Sequence, residues 1–287
     1  MKFTVATIRL PGHDHSHAFD EVGETVVWGL NQLGNDAALG DFSGDDIKHR
    51  SLLFGDLHRT ILFGAHLHNP DIHPPLPEDC IIYNLEHSTV SWVQALASKF
   101  SGFHIWDYSK DNVEFWKSNG IKSSFVPISY APILTRIERK PPNEQDIDVL
   151  FYGWLNARRK AVLDKLEKEG LKVVALDHTY GAARDEYISR AKLVLNIHFY
   201  MPAIFEIVRC SYLWANGVPV VSEISADDWM YRDILRSTDY NQLVGACLHV
   251  AKDETYRKAL ADRAFNHFSG NSILPVLQNA LSELGTP

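Results

Sequence analysis

Residues 147–166, IDVLFYGWLNARRKAVLDKL, decide the fold class. An unbroken apolar run, Val149 to Tyr152, reads as a strand buried on both faces, and such strands belong to parallel sheets covered by helices. Gly153 permits a tight turn, and Asn156 can cap the helix that follows through Leu166. A helix start offers unpaired amides to an anion, and Arg158 and Arg159 add fixed charge there, so this strand, turn and helix suit a diphosphate.

The same alternation continues downstream. A strand is expected over Leu171–Leu176, a turn at Tyr180-Gly181, a helix over Arg184–Arg190 and a strand over Leu193–Asn196 running into Ile-His198-Phe-Tyr200. FEIVRCSYLWANGVPVVSE, residues 205–223, reads as an amphipathic helix turned by Asn216-Gly217 into another apolar strand. Glu206 stands near the start of that helix with Arg209 three residues on. A carboxylate there can accept both hydroxyls of a ribose, and Arg209 can meet phosphate or orient Glu206 as its i,i+3 partner. Tyr180 or His178 can line a base or sugar pocket, and His198 can contact sugar or phosphate from the end of its strand. Packing and surface ion pairs are the competing explanations for all of these side chains.

Upstream, strands are expected near 3–8, 36–39, 60–63, 80–84, 103–106 and 124–128, with helices near 19–33, 90–99 and 110–118. Polar residues gather at the strand ends, where ligands bind in open parallel sheets. Asp107 ends one such strand and can serve as a proton acceptor or, with Ser109, as a helix cap. Glu86 carries the same two readings, with acceptor positioning as its functional one. His13, Asp14, His15 and His17 form a loop whose imidazoles and carboxylate suit a metal in principle, but HDHSH matches no specific metal scaffold. A base role for Asp14 or His15 is retained, and no metal site is assigned. Tyr130 to Asp148 loses periodicity and contains Pro132, Pro141 and Pro142, so it reads as an interdomain linker crossing the mouth of a cleft. The expected division is 1–140, 141–270 and a C-terminal helix at 271–287 that braces the first domain.

Composition is consistent with a globular α/β chain: 287 residues, 45% hydrophobic and 22% charged, enough for two domains. The formal charge of −8 argues against a nonspecific coat for nucleic acid or anionic membrane, while leaving room for a local basic cleft. Cys80, Cys210 and Cys247 have no CxxC spacing, and Cys80 and Cys210, in apolar runs, read as buried thiols of a reducing compartment. MKFTVATIRL reads as a first strand, and no stretch has membrane-spanning length, so a cytoplasmic location is expected.

YGWLNARRKAVLDKL, RDEYISRAKLVLNIHFY and FEIVRCSYLWANGVPVVSE together resemble the nucleotide-sugar-binding half of bacterial glycosyltransferases of the GT-B architecture. CIIYNLEHS, FHIWDYSKDN and FVPISYAP resemble first-domain segments of the same family, so the likeness covers nearly the whole chain. It implies two facing Rossmann-like domains with an interdomain cleft, an acceptor side first and a donor side second, and a helical tail. It also implies hexosyl transfer from a nucleoside diphosphate sugar, with a UDP- or GDP-sugar as donor, to a hydroxyl-bearing acceptor such as a saccharide, without a metal. Gly153 with Arg158 or Arg159 would approach the diphosphate, Glu206 the ribose, and His198 and Arg209 the donor. Many relatives carry two glutamates eight residues apart, as in EGFGLVLLEALACG. Alignment on Asn216-Gly217 puts Ile204 and Tyr212 at those positions, and Glu206 substitutes from two residues further along. An inverting enzyme would take its base from Asp107, Asp14 or His15, whereas a retaining enzyme requires none. The rival readings are a GT-B enzyme acting on modified bases of phage DNA, which the net charge disfavours, a nucleotide-sugar epimerase, and a noncatalytic nucleotide or carbohydrate binder.

Overall fold

The computed structural model describes residues 1–12, 14–42, 58–86, 94, 96–199, 204–225 and 228–284. The chain divides into two compact units, Met1–Ile133 with Ser272–Pro287, and Leu134–Asn271.

The first unit is built on a six-stranded sheet in the order β2-β1-β3-β4-β5-β6. Its strands are β1 (Lys2–Thr7), β2 (Asp36–Asp41), β3 (His58–Phe63), β4 (Ile81–Asn84), β5 (His104–Asp107) and β6 (Ser123–Phe125). All neighbouring pairs are parallel. The apolar runs of the inner strands β1, β3, β4 and β5 are buried, as strands inside a parallel sheet require, while the edge strands β2 and β6 expose Leu39 and Phe125. Helix α1 (Asp20–Gln32) follows β1 after a 3-10 helix over Asp14–Phe19, and α2 (Lys110–Ser118) follows β5 with Ser109 as its cap. Of the helix expected over 90–99, residues 90–93 and 95 lie outside the described residues, and 96–99 form turns.

The second unit carries a five-stranded parallel sheet in the order β11-β10-β9-β7-β8. These strands are β7 (Ile147–Tyr152), β8 (Val173–Leu176), β9 (Ala191–Asn196), β10 (Val220–Glu223) and β11 (Arg236–Thr238). Between them run α3 (Ala157–Lys168), α4 (Gly181–Arg190) and α5 (Ile207–Ala215); α6 (Leu243–Lys252) and α7 (Glu254–Ser269) follow β11. Val149, Phe151, Leu163, Leu166, Leu193, Leu195 and Val221 pack into one core with Cys247 of α6.

The units meet in sequence earlier than the expected boundary at 140. Residues 134–140 are fastened to the second unit: Asn216 Oδ1 accepts the amides of Arg136 and Ile137, and the Arg139 guanidinium donates to the carbonyls of Ile188 and Ala191. The segment that reads as a linker is therefore fastened in place, by backbone amides and by the Arg139 guanidinium. The last helix, α8 (Ile273–Glu283), returns to the first unit, where the Tyr130 carbonyl accepts its Ile273 amide at 2.9 Å. It packs on α1 at Gly29, where an added Cβ would lie only 2.6 Å from Leu277 Cδ1 and 3.0 Å from Ile273 Cγ2. Glycine permits that close approach.

Cys80, Cys210 and Cys247 are buried, and burial pushes all three thiols up. Among the described residues no helix is long and apolar enough to cross a membrane.

Candidate functional site

Parallel pairing brings the carboxyl ends of β7, β8, β9 and β10 to one edge of the second sheet. At the end of β7 the chain turns at Gly153, whose φ of +125° is a conformation that L side chains rarely adopt. Space gives a second reason for the glycine. A Cβ there would sit 3.1 Å from Arg209 Nη2 and 3.8 Å from Arg159 Nη1, so two guanidinium groups converge on the bare turn. Asn156 then caps α3, accepting the Arg159 amide at 2.9 Å and donating its own amide to the Phe199 carbonyl at 2.8 Å.

The two cations are held differently. Arg159 is 4% exposed, donating Nε to the Ile197 carbonyl at 2.9 Å and Nη1 to the Trp154 carbonyl at 2.7 Å. Burial, and then the neighbouring charge of Arg209, brings its pKa down to about 10, so it remains a cation near neutral pH. Arg209, in the first turn of α5, is half-buried; its Nη1 donates to Asn196 Oδ1 at 2.8 Å and its guanidinium lies 5.3 Å from the Tyr152 ring centre. Glu206 precedes α5 at its N-cap position without capping it, and its half-buried carboxylate has no hydrogen bond or ion pair among the described residues. The i,i+3 pairing expected between Glu206 and Arg209 gives way to the bond between Arg209 and Asn196.

Arg158 departs from expectation. Both terminal nitrogens of its guanidinium go to the Glu223 carboxylate, one of them also to the His198 carbonyl at 3.0 Å, and the group lies 4.2 Å from the Tyr240 ring centre. Glu223 is 3% exposed and also accepts the His198 amide at 3.2 Å. This clasp ties α3 to the ends of β9 and β10 and occupies the fork that would have met phosphate. His198 also departs from its expected contact with donor. Its ring is fully buried, with Nε2 2.9 Å from Ser225 Oγ, and Ser225 is held in turn by the Asp228 carboxylate.

Tyr180 stands half-buried at the N-cap position of α4. His178 is exposed, has a positive φ of 46°, and receives the Trp154 indole N–H at 3.4 Å. Tyr212, where relatives would carry a glutamate, is 2% exposed and donates to Asp185 at 2.6 Å while accepting Arg136 Nε at 3.1 Å. It is locked into the protein interior.

In the first unit, Asp107 is 0% exposed and its two oxygens accept four donors. Oδ1 takes the Ser109 amide at 2.9 Å and Asn112 Nδ2 at 3.0 Å; Oδ2 takes Asn84 Nδ2 at 2.7 Å and Trp116 Nε1 at 2.8 Å. Burial pushes its pKa up to about 6 in spite of those donors. A carboxylate so enclosed fastens β4, β5 and α2, and the structure brings none of its surface to solvent at the strand end where a base was expected. Asp14 is exposed and His15 half-exposed in the 3-10 helix after β1, His13 lies outside the described residues, and His17 Nδ1 is 2.8 Å from Asp20 Oδ2. Glu86 lies 3.6 Å from His66. Among the described residues no group of three or more His, Cys, Asp or Glu side chains is placed to hold a metal ion.

Sequence reasoning missed Asn196, Glu223 and Asp228 as organisers of this edge. The signal was there for the first two: each is a polar residue closing an apolar parallel strand, where a fully buried side chain must be satisfied. Asp228 opens a short 3-10 helix, Asp228–Tyr231, and its sequence surroundings carry no such mark.

Two parallel α/β sheets with this order of helices define the fold of GT-B glycosyltransferases. Over its whole length the chain superimposes on an α-glucosyltransferase in complex with UDP and a DNA 13-mer containing an HMU base, with a TM-score of 0.64, 10% identity and 99% of that chain covered. AviGT4, a glycosyltransferase involved in avilamycin A biosynthesis, matches 99% of this chain and 96% of its own with a TM-score of 0.60 and 13% identity. No family model matches the sequence. Two uncharacterized proteins of Acanthamoeba polyphaga mimivirus are 27% and 26% identical over 62% and 61% of this chain, which spans 25% and 60% of their lengths.

Proposed function

We propose that this chain is a glycosyltransferase whose second unit binds a nucleoside diphosphate sugar and whose reaction passes the sugar to an acceptor hydroxyl. The observation that carries the reading is the convergence of Arg159 and Arg209 on the Gly153 turn beside Glu206, whose carboxylate has no hydrogen bond or ion pair among the described residues. Two guanidinium groups crowded together repel each other, and an anion between or beside them relieves that cost. The leaving diphosphate is such an anion, and charge develops on it as the bond from its oxygen to the anomeric carbon breaks, so fixed cations stabilise the transition state more than the bound donor. Glu206, at the start of α5, has the chemistry to accept paired ribose hydroxyls. Arg209 is the direct phosphate contact in this scheme, Arg159 adds field from a buried position, and Gly153 supplies the room. Tyr180 and His178 are left as walls for base or sugar. If the transfer inverts, Asp14 and His15 are the remaining candidates for base, and the acceptor is a saccharide in the first instance.

Calorimetric titration of the full chain with UDP-glucose, UDP-N-acetylglucosamine and GDP-mannose tests the donor. One of these should bind in the micromolar range, on the order of 1 μM to 1 mM, as enzyme substrates do. Absence of binding by all three at millimolar concentration would sink the reading. Mass analysis of products formed with oligosaccharides and with hydroxymethylated DNA then assigns the acceptor.

A further inference from the structure

A second electropositive hollow lies at the outer edge of the same sheet, where no donor residue was expected. It has a volume of about 750 Å³ and is walled by Arg232, Arg236 and Arg263, with Asp233, Tyr256 and Ile224 completing it. The size falls within the span of small-molecule sites, roughly 300–1,000 Å³. In a chain of formal charge −8, three arginines against one aspartate make this a local reversal of sign.

The state of each guanidinium sharpens the point. Arg236, exposed at the start of β11, has no hydrogen bond or ion pair among the described residues. Arg263, exposed on α7, is anchored by Nε on the Asp233 carbonyl at 3.1 Å, and its two terminal nitrogens carry no bond among the described residues. Among the described residues the Arg232 guanidinium makes one long contact, Nε to Asp228 at 3.5 Å, with its side chain 58% exposed. Planar guanidinium forks match the oxygens of phosphate, and three of them on one hollow are under-used by the protein itself.

We infer that this hollow is a second anion site that takes a compact phosphate ester or polyphosphate, separate from the Gly153 turn. Tyr256 lines the hollow beside the arginines, and Asp233 sets a limit on the charge it tolerates nearby. The inference does not depend on the glycosyl-transfer reading, because none of its residues belongs to the Arg159, Arg209 and Glu206 group. The two places do share a support: Asp228 accepts Ser237 Oγ from the wall of the hollow and the Ser225 amide, and Ser225 Oγ reaches His198. The test must therefore separate them.

The probe is inorganic pyrophosphate, titrated calorimetrically into the full chain and into two variants. Wild type should show a binding event that Arg209→Ala retains, beside a second, Arg209-dependent event that belongs to the proposed donor site. The double variant Arg236→Gln with Arg263→Gln should weaken the retained event by about tenfold or more, since each lost charge-assisted bond is worth that order. Glutamine keeps a donor for the Asp233 carbonyl and much of the stem, and circular dichroism confirms folding. A single event abolished by Arg209→Ala, or an isotherm unchanged by the double glutamine variant, overturns the proposal. So does a single-stranded DNA 12-mer that binds more tightly than pyrophosphate in a manner dependent on Arg236 and Arg263, because the hollow would then be reading a polymer backbone.

Discussion

The carboxyl edges of the two sheets are built from the same kind of strand and treat charge in opposite ways. In the first unit the edge holds a carboxylate, Asp107, and closes over it with two amide side chains, an indole and a backbone N–H. In the second, guanidinium groups gather at Gly153, and a carboxylate beside them, Glu206, is left with no partner among the described residues. A strand end enclosed by donors is a fastening, and a strand end with unspent charge is a place for a ligand. The position of a polar residue after a buried strand does not say which of the two it will be; the neighbours do.

The sharpest way to break that comparison lies inside the second unit, because Arg158 and Arg209 are both cations at its edge and only one has spent its charge. Arg158→Ala leaves Glu223, which is 3% exposed, without its cation. Removing one partner of a buried pair costs about 3 kcal/mol or more, and this should appear as a fall in unfolding free energy in urea. The double variant Arg158→Ala with Glu223→Gln should recover part of the loss. Should Arg158→Ala keep full stability and lose nucleotide affinity instead, the distinction between the two arginines fails.

Arg209→Ala should behave in the opposite way. On the proposed reading its loss removes a charged contact to phosphate worth about 1.5–3 kcal/mol, or roughly 10- to 100-fold in affinity for a nucleoside diphosphate sugar. Unfolding free energy should change much less than in Arg158→Ala, since the single bond to Asn196 is its one hydrogen bond among the described residues. Calorimetry and urea denaturation on the same two proteins decide the matter.

These pairs also show how far the sequence could be read. The α/β class, the parallel strands and the helix bounds at Lys110–Ser118 follow from apolar runs and caps, which are local signals. The cap at Asn156 and the glycine turn at 153 were legible for the same reason. What was not legible is partnership across strands: Glu223 stands 65 residues from Arg158, and Asp107 stands 23 from Asn84. Helix α5 starts at Ile207, three residues later than its pattern suggests, because apolar periodicity does not register where the backbone first turns helical. The segment 134–140 looked like a linker because its anchors, Asn216 and the carbonyls of Ile188 and Ala191, lie elsewhere in the chain.

Asp107 gives the comparison a pH axis. Its folded pKa, about 6, stands above the ordinary value of 3.8, so the folded state favours the protonated acid. Its contribution to stability is then complete below the ordinary pKa and is lost as pH rises through about 6. Asparagine cannot ionise, although its amide faces the donors that now meet an oxygen, at a cost of about 1–3 kcal/mol. Between pH 4 and pH 7 the stability of Asp107→Asn relative to wild type should therefore improve, by at most about 3 kcal/mol. Urea denaturation at pH 4, 5.5 and 7 reads the slope; a flat difference across that range would mean that folding leaves the carboxyl at its ordinary pKa, as for a solvated group.

Glu206 is the last test, and its signature is a sign instead of a size. If it accepts ribose hydroxyls, Glu206→Gln keeps one acceptor oxygen and loses the charge, so affinity for UDP or GDP should fall by roughly tenfold. The same change takes a negative charge away from Arg159, whose pKa Glu206 raises, and so makes the turn at Gly153 more electropositive. Inorganic pyrophosphate, which has no hydroxyls to present, should then bind this turn slightly more tightly in the variant than in wild type. Parallel titrations with nucleotide and with pyrophosphate, in the background of Arg236→Gln with Arg263→Gln to silence the outer hollow, separate the two effects. Opposite shifts mark a carboxylate that reads sugar hydroxyls beside a cationic phosphate site. A fall for both ligands would make Glu206 a support for Arg209, and the edge of the second unit would then be a fastening like that of the first.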